Sequence, residues 1–200
     1  KTLKSALPDR TVKLYTPEFG QTSRAITDTG SELYAAKPEF VLFADRLEDL
    51  VGMPFLDTVK ISTLENAVDR YIENIRTFRE RSVATFFVSQ FAVLNRPVFG
   101  AADIKMMGGV NAVCQSMNQK LDTALAEMQA AHTINLQSFT TQFGDGPVLD
   151  SRLWYLGRFP FSDSFSEYLG ERISAYILSI MGRSSRLIVL DLDGTLWGGV

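Results

Sequence analysis

Phe40-Val41-Leu42-Phe43-Ala44, closely preceded by Pro38 and running straight into Asp45-Arg46-Leu47-Glu48-Asp49-Leu50, is the stretch whose reading decides the fold. A continuous apolar run of strand length, without polar alternation, is the pattern of a parallel strand covered on both faces. A short helix over 45–50 follows it at once. Downstream, Leu64, Val68, Tyr71, Ile75 and Phe78 recur at three- and four-residue steps and give residues 62–81 one apolar helical stripe. Ser62 and Glu65 have the spacing of a capping box at its start. Ser82-Val83-Ala84-Thr85-Phe86-Phe87-Val88 is then a second apolar strand. Strand, helix, strand is the unit from which parallel sheets are built.

Outward from this unit the pattern repeats. Towards the N-terminus, residues 1–9 read as the end of a helix stopped near Pro8, and Thr11-Val12-Lys13-Leu14-Tyr15 alternates like a strand. A polar, helical stretch opens at Phe19-Gly20-Gln21. Asp28-Thr29-Gly30-Ser31 has the letters of an aspartic-protease signature, but that enzyme class needs two such loops in an all-β frame, which the helical stripes contradict. The expected reading is a loop leading into a short helix at Ser31–Tyr34. Towards the C-terminus, residues 89–109, with Pro97, Gly100, Gly108 and Gly109, form the longest irregular segment. Long loops after parallel strands are where sites tend to sit. Val113, Met117, Leu121, Leu125 and Met128 mark an amphipathic helix to about residue 131, with a strand expected at Thr133–Leu136 and a turn at Gly144–Pro147. Ser164 with Glu167 opens a last helix, whose apolar face is Phe165, Leu169, Ile173, Tyr176 and Ile180 and whose end is Gly182. The expectation is a three-layer α/β domain with a mostly parallel sheet over residues 1–182, a linker at 183–185, and a second domain opening at 186–200.

Composition narrows the function. With 200 residues, 46% apolar and 22% charged, the chain can bury a full core. A net charge of −3 and a sequence pI of about 5.2 imply no basic surface for nucleic acid. No apolar stretch approaches the roughly 18 residues of a membrane span. One cysteine excludes an internal disulfide framework and fits a reducing compartment, so cytoplasm is the expected location. Cys114 lies beside the apolar stripe and reads as a small buried residue rather than a nucleophile. His132, the single histidine, sits at a helix-to-strand junction and reads as structural, since no Ser or Cys partner can be assigned to it.

The chemistry concentrates at the C-terminus. Leu187-Ile188-Val189-Leu190 is a short apolar run, and Asp191-Leu192-Asp193-Gly194-Thr195-Leu196-Trp197-Gly198-Gly199-Val200 follows it. Two carboxylates one residue apart at a strand end point to the same side. Such a pair can hold a hard cation such as Mg2+, leaving one carboxylate to attack phosphorus while its neighbour handles a proton. Gly194 permits a sharp turn, and Thr195 offers a hydroxyl and an amide to a phosphate. Metal-dependent glycosyltransferases and calcium loops also contain Asp-x-Asp pairs, but a calcium loop needs further oxygen ligands at fixed offsets.

An apolar strand followed by Asp-x-Asp-Gly-Thr resembles the first motif of the haloacid dehalogenase superfamily. The continuation Leu196-Trp197-Gly198-Gly199-Val200 resembles its FkbH-like branch, which more often has Asn at the position of Gly194. The resemblance implies Asp191 as nucleophile and Mg2+ ligand, and Asp193 as general acid and base, binding the metal through its carbonyl.

In that branch the catalytic domain is preceded by a flavodoxin-like domain similar to the SGNH hydrolases, and this chain is similar there too. The matches are Ser31–Tyr34 before Lys37-Pro38, Phe99-Gly100, Asn118 and Leu121, Arg152–Tyr155, and Phe159–Ser162. The first strand of such a domain is expected before Lys1, and the chain reads as a fragment cut at both ends. An active hydrolase of this type carries His about three residues after a late Asp, whereas Asp150 is followed by Ser151, Arg152, Leu153 and Trp154. A serine without an imidazole lacks its activator, so the domain is expected to be inactive as an esterase. The resemblance implies a phosphatase or glyceryl transferase acting on a phosphorylated small molecule, 1,3-bisphosphoglycerate, and loading an acyl carrier protein in polyketide-type biosynthesis. The alternatives are an esterase or acyltransferase, and a non-catalytic carrier-protein-binding module.

Overall fold

In a computed structural model, which describes residues 3–18, 20–52, 59–93, 100–106, 108–157 and 159–183, the deciding stretch is a strand, β1 (Phe40–Phe43). Short helices α1 (Leu3–Ala6), α2 (Thr22–Thr27) and α3 (Glu32–Ala35) precede it, and α4 (Leu47–Val51) follows. Helix α5 (Ile61–Arg81) leads to β2 (Thr85–Ser89), and a 3-10 turn at Gly100–Lys105 precedes α6 (Val110–Ala126). Then come β3 (Ala131–Ile134), α7 (Leu136–Gln142), α8 (Ser151–Gly157) and α9 (Asp163–Ile180). The sheet order is β1-β2-β3, all parallel, with Phe43 opposite Val88 and Val88 opposite Thr133. This is the mixed α/β fold with a parallel sheet that the sequence pattern implies.

The chain divides into two compact units, residues 13–165 and residues 1–12 together with 166–200. In the larger unit, the predicted stripe of α5 is buried throughout: Leu64, Val68, Tyr71, Ile75 and Phe78. It meets one face of the sheet, where Phe43, Phe78 and Phe86 form a triangle of edge-on rings with centroids 5.3–5.9 Å apart. Such offset contacts add to the area that each ring buries. Val113, Met117, Leu121 and Leu125 of α6 complete this core. The sheet's other face is covered unevenly. Phe87 on β2 is 2% exposed, whereas Leu42 on β1 is 42% exposed. Two-sided burial thus holds for the central strand and not for the edge strand, where the continuous apolar run predicted it.

Other expectations need correction. Residues 11–15 form no strand, and Leu14 is 88% exposed. Alternation can mark a face, but it supplies no neighbouring strand to pair with. Helix α5 starts at Ile61 with Lys60 as its extended cap, so Ser62 and Glu65 lie inside it and make no capping box. At α9 the capping hydroxyl is that of Ser162, which accepts from the Phe165 amide at 3.2 Å, not that of Ser164. The last strand falls at 131–134, so Leu136, expected to end it, instead begins α7. His132 therefore lies within β3, exposed, its ring 5.4 Å from that of Phe87.

Asp103, fully buried within the 3-10 turn, organises the start of α6. Its carboxylate accepts from the Val110 and Asn111 amides at 2.8 and 3.0 Å and from Asn111 Nδ2 at 2.7 Å. These donors, the Asn111 amide foremost, hold it below the usual carboxylate range. Arg79 donates from the last turns of α5 to the carbonyls of Ser82, Ala84 and Gln129, fixing the entry to β2. In the smaller unit, Arg183 pairs with Asp9 through two hydrogen bonds of 3.1 and 2.7 Å.

Candidate functional site

Open parallel sheets bind ligands beyond the carboxyl ends of their strands, because there the loops diverge and helix N-termini begin. The chain places Ala44-Asp45-Arg46 at that end of β1, between the strand and α4. A cleft of about 770 Å3 opens there, walled by α4, α5, the approach to α2, and Trp154 of α8. Its volume lies in the range of small-molecule sites.

The floor is built from Asp45, Glu48 and Tyr71. Thr22 Oγ1 donates to Asp45 Oδ1 at 3.3 Å. Burial pushes the Asp45 carboxyl above its ordinary range despite that hydrogen bond, and burial likewise raises Glu48, which is 8% exposed. Tyr71, 3% exposed, faces Asp45 closely enough for the two groups to influence each other's ionisation. Burial first and the Asp45 charge second raise its phenol far above the ordinary value. Yet the hydroxyl makes no hydrogen bond of acceptable geometry with Asp45 or with any other described residue.

Arg46 is committed elsewhere. Its Nε and Nη2 donate to the two carboxylate oxygens of Asp49 at 2.7 and 2.6 Å, and its guanidinium lies 4.8 Å from the Trp154 ring centroid. A forked ion pair stacked on an indole is a rigid cleft wall. The lining holds five carboxyls (Glu18, Asp45, Glu48, Asp49, Glu73) against two guanidinia (Arg46, Arg70), so the cleft favours neutral or cationic ligands over anions.

A second depression, at the end of β2, is lined by Gln90, Cys114, Asn118 and Asp122 among others. Its polar groups bond to one another and to backbone. Asn118 exchanges two 2.8 Å hydrogen bonds with the Phe91 backbone, and Gln90 donates to Asp122 at 2.6 Å. The buried Cys114 thiol donates to the Phe91 carbonyl, and burial pushes it up to about 12, as suits a packing residue and not a nucleophile.

Asp191, Asp193, Gly194 and Thr195, the sequence-predicted site, lie outside the described residues. Among the described residues no group of three or more His, Cys, Asp or Glu side chains could hold a metal ion. Asp150 caps α8, accepting from the Arg152 amide at 2.8 Å and pairing with Arg152 Nη2 at 3.0 Å. Its carboxylate therefore serves a helix and an arginine, not an imidazole. The Asp28 to Ser31 loop is a local turn, with Gly30 N donating to Asp28 Oδ1 at 2.9 Å and Ser31 as the residue before α3. Sequence reasoning missed the cleft. Its signal was an Asp directly beyond an apolar strand, with a Tyr, the one residue carrying a polar atom, in the stripe of α5.

The model of the family described as FkbH, N-terminal domain, matches residues 5–178. No curated protein matches the chain. A similar solved structure is the N-terminal part of the protein BF1531 from Bacteroides fragilis, described as containing a phosphatase domain complexed with Mg. It superposes with a TM-score of 0.80 at 20% identity, over 99% of this chain and 53% of that one. This chain thus spans about half the length of that neighbour, and the likeness is one of fold.

Proposed function

Because the chain belongs to the family of FkbH N-terminal domains, we propose that it leads a phosphoryl-handling enzyme whose catalytic domain, of the haloacid dehalogenase type, opens at the apolar run Leu187–Leu190. The observation that carries this reading is Asp191-Leu192-Asp193-Gly194-Thr195, which follows shortly after residue 178, where the family match ends. The description of the Bacteroides fragilis neighbour, with its phosphatase domain and Mg, supports it.

In this proposal Asp191 attacks phosphorus and Asp193 handles the proton of the leaving oxygen, while Gly194 and Thr195 turn the backbone around the phosphate. Asp191 and Asp193 would hold Mg2+, which when bound neutralises phosphoryl charge. The substrate is a phosphorylated small molecule. The finer assignment is glyceryl transfer from 1,3-bisphosphoglycerate to an acyl carrier protein in polyketide-type biosynthesis, with the α/β domain positioning substrate or carrier. A cytoplasmic location suits the single buried thiol, and no helix among the described residues is long and apolar enough to cross a membrane. An esterase reading is disfavoured by Asp150, which is bound to Arg152.

The test is Asp191→Asn in the full-length protein, assayed for phosphate release with and without Mg2+. Loss of Mg2+-dependent release is expected, and retained turnover would remove Asp191 from its role.

A further inference from the structure

Helix α9 carries an apolar row that the fold leaves half-open. Leu169, Ile173, Tyr176 and Ile180 follow one another at steps of four, three and four, so they share one face of the helix. Ser174 and Ile177, the buried residues of its C-terminal half, lie about a quarter of a turn away from that row. Exposure along the row is uneven. Leu169 and Ile173, nearer its start, are half-buried, whereas Tyr176 and Ile180, nearer its end, are 47% and 42% exposed. Single apolar residues at a surface need no explanation, but an aligned row that opens in one direction does.

The end of α9 narrows what can cover it. Gly182, at φ +70°, closes the helix in a Schellman arrangement, with Arg183 N donating to the Leu178 carbonyl at 2.8 Å and Gly182 N to that of Ser179 at 3.0 Å. Tyr176 and Ile180 lie in the last two turns before that exit. Only Ser184, Ser185 and Arg186 then separate Arg183 from the apolar run at Leu187, a reach of at most about 14 Å. A domain of 100 residues has a radius of gyration of about 13 Å, so on this tether it has no room to stand clear of the helix end.

We propose that this row is the seat of the domain that opens at Leu187, which packs on Tyr176 and Ile180 and thereby holds the Asp191 motif at a fixed position against α9. The inference rests on the reading that a second domain begins there, and not on the chemistry assigned to Asp191.

The experiment is thiol labelling of the purified full-length protein with a charged maleimide. Burial pushes the Cys114 thiol, the only one between residues 1 and 200, up to about 12, so this part of the parent is a quiet background. Ile180→Cys and Tyr176→Cys place thiols on the row, and Ala175→Cys places one on an exposed part of the same helix away from it. Both row positions are half-exposed, so neither substitution empties a core, and Cys114 staying unlabelled reports that the chain around it is folded. Both row thiols are expected to react at least about tenfold more slowly than the thiol at 175, since labelling follows exposure. The ratio should survive a dilution of about a hundredfold, because covering by the same chain does not depend on concentration. Equal rates at 175 and on the row overturn the proposal. Protection lost on dilution also overturns it, by making the occupant a second copy of the chain. Asp191→Asn should keep this protection whatever it does to phosphate release, so failure of the docking and failure of the phosphatase reading are told apart.

Discussion

Asp45 and Asp103 are both acidic groups held by the fold, and they respond to pH with opposite signs. Burial raises Asp45 from its ordinary value of 3.8, so the folded state keeps a proton that the unfolded chain gives up. Stability from this group is full at acid pH and falls as pH rises through the window above 3.8, leaving a cost at neutrality. Asp45→Asn is therefore expected to raise the melting temperature at pH 7 and to lose that advantage as the pH drops towards 4, as thermal unfolding at several pH values would reveal. A variant less stable than the parent at pH 7 would contradict this account. Asp103 behaves in the other sense. Its donors lower it, so its contribution is present above 3.8 and disappears as pH falls through its depressed value.

The elements succeed or fail according to how much of their specification is local. The start of α6 is specified at close quarters. A Cβ on Gly109 would collide with the Asp103 backbone carbonyl, which is no flexible side-chain end. Gly109→Ala should cost about 1–3 kcal/mol, as overpacking against fixed atoms does, and urea unfolding would measure it. A cost below a few tenths would mean that the turn relaxes freely. The same contrast explains what the sequence made legible. The five-residue stripe of α5 predicts its buried face correctly, because helical periodicity maps directly onto one side of a cylinder. Helix α8 goes unrecognised, since Tyr155 and Leu156 are 74% and 85% exposed and its seven residues present no stripe. Strand-like alternation at 11–15 misleads because strands, unlike helices, need a partner from elsewhere in the chain.

Across the whole molecule, Asp9 and Arg183 join positions 174 residues apart. Both side chains are 40% or more exposed, and such pairs contribute little in water. Arg183 holds the Asp9 carboxyl below its usual range, yet Asp9→Asn should leave the calorimetric midpoint nearly unchanged; a large drop would show that the pair fastens the ends of the smaller unit. At this scale the parallel α/β architecture was readable from two apolar runs and the helix between them. The cleft was not readable in the same way. The Asp191 motif lies outside the described residues, and the cleft at Asp45 draws Thr22, Tyr71 and Trp154 from three separated segments whose convergence no local pattern encodes.

His132 gives the molecule a built-in spectroscopic probe. Its imidazole, the only one in the chain, lies 5.4 Å from the Phe87 ring at an interplanar angle of 33°, within that ring's magnetic anisotropy. One uncrowded pair of proton resonances, displaced by ring current, therefore reports whether β2 and β3 remain in register, and does so without any label.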